Sequence, residues 1–497
     1  MSDLPPTPRP ARDPSYLDAL VPLVTLTALI ATSVILFGLD AISGPLQLAI
    51  FLTAMVTALI LLKNGHSWES IAEAGRRGVA SVVGAIFILF AVGALIGAWN
   101  MSGTIPTMVY YGLELISPDW FYLATAAICG AIALGIGSSW TTAGTIGVGL
   151  VGLSTLLGVS PEITAGAVIS GAYLGDKLSP LSETSILAAQ ITGNDIFTHL
   201  RAQAWSSIPA FIIALVIFAA LGNTGEAGFG EAIIESELGS LDTLFWITPL
   251  NLVPLVLLAG LSMVRVPPSL AIMCAALLAG IMAAFTQPEA VLRFVDDPTL
   301  AAPVAFLKGV WMALANGYQA NSGISAVDAL LSRGGMDSML PTIWLIIGAL
   351  VLGTLLDEFG LLSKLVTPVL LRARTTGQLV GTVIGTAIGL NIISGDQYVA
   401  LVLPARQFRA EFEKRGLATT NLSRAVSDGG TVTSPLVPWN SCGAYMTAVL
   451  GVPTMLYLPF CFFNIASPLL TLGYGFTGFR IERRGAPAPG RPEVPAN

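Results

Sequence analysis

The sequence predicts an all-α polytopic membrane protein: two inverted-topology repeats, each about five transmembrane helices plus one re-entrant hairpin, with broken helices at the midplane. Three observations carry this. Of 497 residues, 54% are hydrophobic and only 11% charged, against about 25% charged in ordinary soluble domains. Apolar runs of about 20 residues, enough to cross roughly 30 Å of hydrocarbon, recur from Leu20 to Tyr474. Short stretches of the first half also return in the second, as internal repeats should. Leu20-Val-Pro-Leu-Val24 returns as Leu252-Val-Pro-Leu-Val256, and Gly93-Ala-Leu as Gly348-Ala-Leu (348 minus 93 is 255). Gly135 answers to Gly389 (389 minus 135 is 254) and Ser179-Pro-Leu to Ser434-Pro-Leu (434 minus 179 is 255).

The chain opens on a polar, Pro-rich leader, Met1 to Asp13. The first span, Leu17 to Phe37, reads as a retained helix, because no small-residue cleavage site stands ahead of a soluble domain. Spans follow at Pro45 to Leu62 and Val79 to Trp99, joined by a basic link with Lys63, His66, Arg76 and Arg77. Thr104 to Ser117 is amphipathic and too polar to cross, which suits the interface. The apolar stretch Trp120 to Gly158 is interrupted at Gly135 to Gly147, and Pro161 to Thr192 is interrupted at its charged centre. A span at Arg201 to Leu221 and an acidic link, Gly222 to Asp242, complete the half. The second half offers spans at Leu244 to Met263 and Ser269 to Phe285, an irregular polar region Gln287 to Ser338, and a span at Leu340 to Asp357. An amphipathic piece, Leu361 to Arg374, leads into the stretch Gly377 to Leu403, broken at Gly389 to Asp396. The basic link Arg406 to Arg424, the interrupted segment Asp428 to Leu450 and a span at Thr454 to Leu472 follow.

Positive charge sets the orientation, since cytoplasmic loops are enriched in Lys and Arg. Arg372 and Arg374 precede the stretch 377 to 403, and Arg406, Arg409, Lys414, Arg415 and Arg424 follow it, so the stretch enters the membrane and returns on one side. Such a hairpin is tolerated where its tip is buried in protein or lines a cavity. The matching stretch 120 to 158 is flanked by Asp119 and Glu162 and enters from the other side. Five spans per repeat is an odd number of crossings, which inverts the second repeat. The expected divisions are a cytoplasmic leader 1–14, a first repeat 15–221, an extracytoplasmic link 222–242, a second repeat 243–476 and a cytoplasmic tail 477–497.

Ionisable residues at membrane depth are sites by default, and the four breaks collect them. Sodium takes several oxygen ligands, which unwound carbonyls, hydroxyls and a carboxylate supply. Gly175 and Gly395 let the backbone kink, and Pro180 and Pro435 release helical carbonyls from their usual donors. A carboxylate can hold either a cation or a proton, and desolvation raises its hold on the proton. Asp176 is the leading candidate for that exchange, Glu183 the second, with Asp396 and Asp428 in the second half. Lys177 is their charge partner, or an anchor for an anionic substrate. Trp140 and Trp439 fit packing as well as gating, and Asp357 and Glu358 end a span facing water.

Other classes recede. No basic groove with interleaved aromatics suggests nucleic acid, and formal net charge is -7. Cys129, Cys274, Cys442 and Cys461 show neither paired spacing nor a His cluster, so they read as packing residues. No Walker-type phosphate loop is present. A membrane hydrolase using Ser179 or Ser182 lacks an evident base, because His66 and His199 fall in expected cytoplasmic links. No enzyme activity and no cofactor is expected; the partners are lipid and small ions.

The segments GSSWTTAGTIG, GDKLSPLSETS, GDQYVALVLPARQF and DGGTVTSPLVPWNSCGAY resemble the signatures of the NhaC-type sodium/proton antiporter family, within a wider superfamily of elevator-like carriers. The likeness runs from about Ala19 to Tyr474. It implies secondary transport across a bacterial inner membrane and, by analogy with elevator-type relatives, a homodimer; walking the spans from Arg9 and Arg12 to Arg480, Arg483 and Arg484 puts both expected termini in the cytoplasm. Position by position it implies sodium or substrate contacts from Ser138, Ser139, Thr141, Ser179 and Thr184 in the first half. In the second it implies Asn391, Thr433, Ser434 and Asn440, besides Asp176, Glu183 and Asp396. Where relatives commonly read Ser-Asp-Thr-Thr-Asn, this chain has Ser182-Glu-Thr-Ser-Ile186. Some relatives exchange malate for lactate or carry amino acids, so a small organic anion or amino acid is the alternative cargo.

Overall fold

A computed structural model describes residues 12–115, 117–222, 242–324, 327–328 and 331–483. Most of the leader, of the acidic link and of the tail lie outside the described residues, as do the expectations placed on them. What is described is helical, apart from turns and one isolated backbone bridge between Leu417 and Arg483.

Helix α1 (Tyr16–Phe37) starts on a capping box: the Ser15 hydroxyl accepts from the Asp18 N–H, and the Asp18 carboxylate accepts from the Ser15 N–H. That carboxylate also meets Lys63 at 2.5 Å, which ties the start of α1 to the end of α2 (Pro45–Lys63). Helix α3 (Trp68–Met101) is 34 residues long, about 50 Å at 1.5 Å per residue, and α4 (Thr104–Leu115) follows at its end. The first hairpin is α5 (Phe121–Ile136), a break at 137–138, then α6 (Ser139–Thr142), a π-turn and α7 (Val148–Leu156). The first broken span is α8 (Pro161–Leu178) and α9 (Glu183–Thr192), and α10 (Ile196–Gly222) ends the half.

In the second half, helix α11 (Val253–Met263) begins nine residues later than the span expected from Leu244, after a 3-10 turn over Pro249–Leu252. Pro249 contributes to the delay, since Thr248 before it is extended, whereas Pro254 falls in the first turn of α11, where its missing N–H costs nothing. Helix α12 (Pro268–Thr286) follows. The region expected to be irregular contains α13 (Pro288–Val295) and α14 (Ala302–Asn316). Ala305, Gly309 and Ala313 line one buried face of α14, and the Ala313 carbonyl lies so close to Gly97 of α3 that a Cβ there would sit 2.0 Å from it. Then come α15 (Leu340–Glu358) and α16 (Leu361–Arg372). The second hairpin is α17 (Thr376–Ser394) and α18 (Gln397–Lys414), so Asn391 belongs to the last turn of a helix and only Gly395 and Asp396 are unwound. The expected basic link is mostly helix, from α18 and α19 (Thr419–Val426). A π-turn over Ser427–Thr431 and a 3-10 turn over Ser434–Leu436 lead to α20 (Ser441–Leu450), α21 (Thr454–Tyr457) and α22 (Phe462–Thr477).

Among the described residues, eight helices are long and apolar enough to cross a membrane, or nine if a pair bent by 91° at residues 451–453 counts as one. Those eight include one arm of each hairpin, whereas α8, long enough at 18 residues, is too polar with Glu162, Asp176 and Lys177, and the pieces of the second interrupted segment are too short singly. The helices pack as two groups. The early elements of both halves, α1–α3, α11, α12, α14 and α15, pack on one another. The late elements, α5–α10 and α17–α22, form the other group.

Candidate functional site

The site is assembled where the first group meets the breaks of the second. A cavity of about 840 Å³ is walled by Val82 and Ile88 of α3, by Ile346 and Leu350 of α15 and by the link between α11 and α12. Its other wall is polar: Ser138, Ser139, Thr141, Asp176, Glu183, Thr184 and Asp396. Three candidate carboxylates, two from the first broken span and one from the second hairpin tip, therefore share one space.

Local chemistry explains the break at Asp176. In a continuous helix its carbonyl would accept from the N–H of residue 180, and Pro180 has none. Three hydroxyls take over: Ser185 at 2.6 Å, Ser182 at 2.8 Å and Thr184 at 3.2 Å. The second half repeats the device, with Pro435 four residues after Thr431 and the Ser434 hydroxyl on the Thr431 carbonyl at 2.7 Å. The Asp176 carboxylate, 7% exposed, reaches the first hairpin tip, accepting from the Ser139 N–H at 3.0 Å and hydroxyl at 2.5 Å. Ser138 caps α6, its oxygen receiving the Thr141 N–H and hydroxyl. Glu183 is exposed to the cavity and accepts the Tyr398 hydroxyl at 3.1 Å, and Asp396 caps α18 through the Tyr398 N–H at 3.0 Å.

The second-half counterparts form a neighbouring knot. Asn391 donates to the Gly430 carbonyl at 2.7 Å and to Thr433 at 3.0 Å, while Asn440 donates to the Asn391 side chain at 3.1 Å. Asn391 and Asn440 are fully buried and do not line the cavity. Each hairpin tip thus hydrogen-bonds the broken segment of its own half. The halves are joined by Trp140 stacked on Tyr445 with ring centres 4.0 Å apart, and by the Tyr445 hydroxyl on the Trp140 carbonyl at 2.8 Å.

Several expectations shift. Asp428 does not line the cavity: it is fully buried against Lys177, and Ser206, Ser467 and Thr471 hydroxyls also donate to it. Lys177, equally buried, is placed as the charge partner of Asp428 and does not line the cavity. Gly175 is no break either; it lies inside α8, where a Cβ would fall 2.4 Å from the Ala133 carbonyl. Ser179 caps that helix and receives the Leu181 N–H, away from the cavity. His199 is in no link but inside α10 and fully buried. Sequence reasoning missed Tyr398 and Arg265. Tyr398 stood in the quoted motif without a partner to suggest a role, and Arg265 stands in none of the quoted motifs.

Gly137 shows why the tip is tight. It adopts φ +79°, and a Cβ there would sit 2.8 Å from the Leu181 backbone. Gly137→Ala is expected to cost about 1–3 kcal/mol for the left-handed conformation, plus the displaced tip, read as a lowered melting temperature in detergent. A melting curve like the native one would show that the tip gives way freely.

Fold and cavity define a polytopic membrane protein built around broken helices, as secondary transporters are. Residues 15–191 and 171–479 each match the Na+/H+ antiporter family, and the chain belongs to it. It is 36% identical to the Na(+)/H(+) antiporter NhaC of Alkalihalophilus pseudofirmus, over 83% of this chain and 86% of that protein. It is 34% identical to the arginine/ornithine antiporter ArcD of Halobacterium salinarum, over 95% and 94%. The malate-2H(+)/Na(+)-lactate antiporter of Bacillus subtilis is 33% identical, over 94% and 96%.

Proposed function

We propose that the protein is a sodium/proton antiporter, exchanging Na+ for H+ across a bacterial inner membrane. The observation that carries this reading is the grouping at Asp176: a buried carboxylate with the Ser138, Ser139 and Thr141 hydroxyls beside it at one cavity wall. Those are the hard oxygen ligands a sodium ion takes. One carboxylate charge balances one bound Na+ or one bound H+, so arrival of either displaces the other. Because the cavity lies between two helix groups, movement of one group against the other would switch the side from which it opens. The proposed arrangement keeps both termini cytoplasmic, the repeats inverted and the protein a homodimer; the matching spacing of the Pro-broken segments supports the repeats.

The test is sodium-driven dissipation of a preset pH gradient in proteoliposomes containing only this protein. Proton movement on adding NaCl, absent with choline chloride, is the expected result. No movement with sodium alone, but restored flux with malate, lactate or arginine, would replace the reading by the second one.

That second reading, a sodium- or proton-coupled carrier of a small organic anion or amino acid, has one observation of its own. Arg265 lines the same cavity, is exposed and held at φ +63°, and its guanidinium could meet a carboxylate. Under it, Arg265→Gln should abolish stimulation by the organic substrate; under simple exchange the same variant should keep sodium-driven proton flux.

A further inference from the structure

Helix α10 carries a second polar system, apart from the cavity. His199, Gln203, Ser206 and Ser207 follow the i, i+4, i+7, i+8 spacing that puts them on one face, and all four are fully buried. Among the described residues, both His199 ring nitrogens, Gln203 Oε1 and Ser207 Oγ have no protein partner. Facing them, Ser427 Oγ and Arg424 Nε are unpartnered too. A buried polar group left unmade costs about 1–3 kcal/mol, so a row of them is stable only if something polar fills the space. Ordered water does this where two to four partners converge.

The row has two definite ends. His199 lies one turn inside the start of α10, next to exposed Asp195. Ser206, about 10 Å further along the helix, donates to Asp428 at 3.0 Å and stands 3.4 Å from the Lys177 ammonium. The charged and titratable groups brought to this side of α10 are Lys177 from α8, Arg424 from α19, Asp428 from the π-turn and Tyr474 from α22, with Arg480 over the Trp205 ring and Glu482 beside Arg424. Helix α5 has no charged residue, the only one on α9, Glu183, turns to Tyr398, and Asp119 touches the far end of α10 at Gly222.

We propose that this face of α10 holds a chain of ordered water from His199 to the Lys177–Asp428 pair, a route that brings the exchanged proton to the residue next to Asp176 from the side away from the sodium cavity. His199 relays without net change: one ring nitrogen accepts a proton from water as the other releases its own. The inference rests on the exchange reading for its purpose but not for its structure.

Two measurements decide it. Radiolytic hydroxyl-radical labelling of the native protein in lipid nanodiscs should oxidise His199 at least severalfold faster than Phe218, a fully buried residue on the same helix. In proteoliposomes, His199→Leu should slow sodium-driven proton flux on the order of 100-fold, the lower range for a positioned proton-transfer group, with the sodium-dependent rise in melting temperature kept. Labelling no faster than Phe218 overturns the proposal, as does a His199→Leu protein that exchanges at the native rate or loses its sodium response with its flux. If the native protein moves no protons with sodium, the exchange reading fails, and the labelling result still says whether the row is wet.

Discussion

Asp176→Asn is expected to remove sodium coupling while leaving the fold in place. The amide keeps an oxygen for the Ser139 N–H, now at 3.0 Å from the carboxylate, and nearly the same volume, but it carries no exchangeable charge. A charge-assisted contact contributes about 1.5–3 kcal/mol, and about 1.4 kcal/mol is tenfold in affinity. Sodium should therefore bind on the order of 10- to 100-fold more weakly, measured as the NaCl concentration needed to raise the melting temperature. Exchange in proteoliposomes should fall to background, since an amide can deliver no proton. Normal sodium dependence in this variant would take Asp176 out of the site and turn attention to Glu183 and Asp396, which share the cavity.

Lys177→Met should be the most destabilising change near the site. It strands Asp428, whose side chain is fully buried with only the Ser206, Ser467 and Thr471 hydroxyls left around it. Removing one partner of a buried ion pair costs about 3–5 kcal/mol, whereas replacing both with apolar residues is often neutral. The expected pattern is a large fall in melting temperature for Lys177→Met and a substantial recovery in Lys177→Met with Asp428→Leu. The pair joins the two halves across 251 residues, so the double variant also asks whether the charge itself serves transport. A stable double variant without flux would assign it that second duty.

Composition and apolar run length alone made the chain a helical membrane protein, because hydrocarbon leaves few ways to satisfy a backbone. The Pro-marked breaks were legible for an equally local reason: Pro180 and Pro435 lack an N–H wherever the rest of the chain goes. The helices α13 and α14 were not legible, because their faces are short and take meaning only against tertiary neighbours, α3 for α14 and α14 for α13.

What the tertiary structure decided is how equivalent-looking charges divide. Asp176 and Lys177 are adjacent in sequence, yet successive helical positions point about 100° apart. One therefore faces the cavity and the other the interior between halves. Asp428 looked like a partner for sodium and is Lys177's partner instead, and His199 looked like a loop residue and is buried in α10. The residues at membrane depth could be read from the sequence, because burying charge is costly everywhere in hydrocarbon. Which of them meet depends on contacts across some 250 residues, and local spacing carries no record of those.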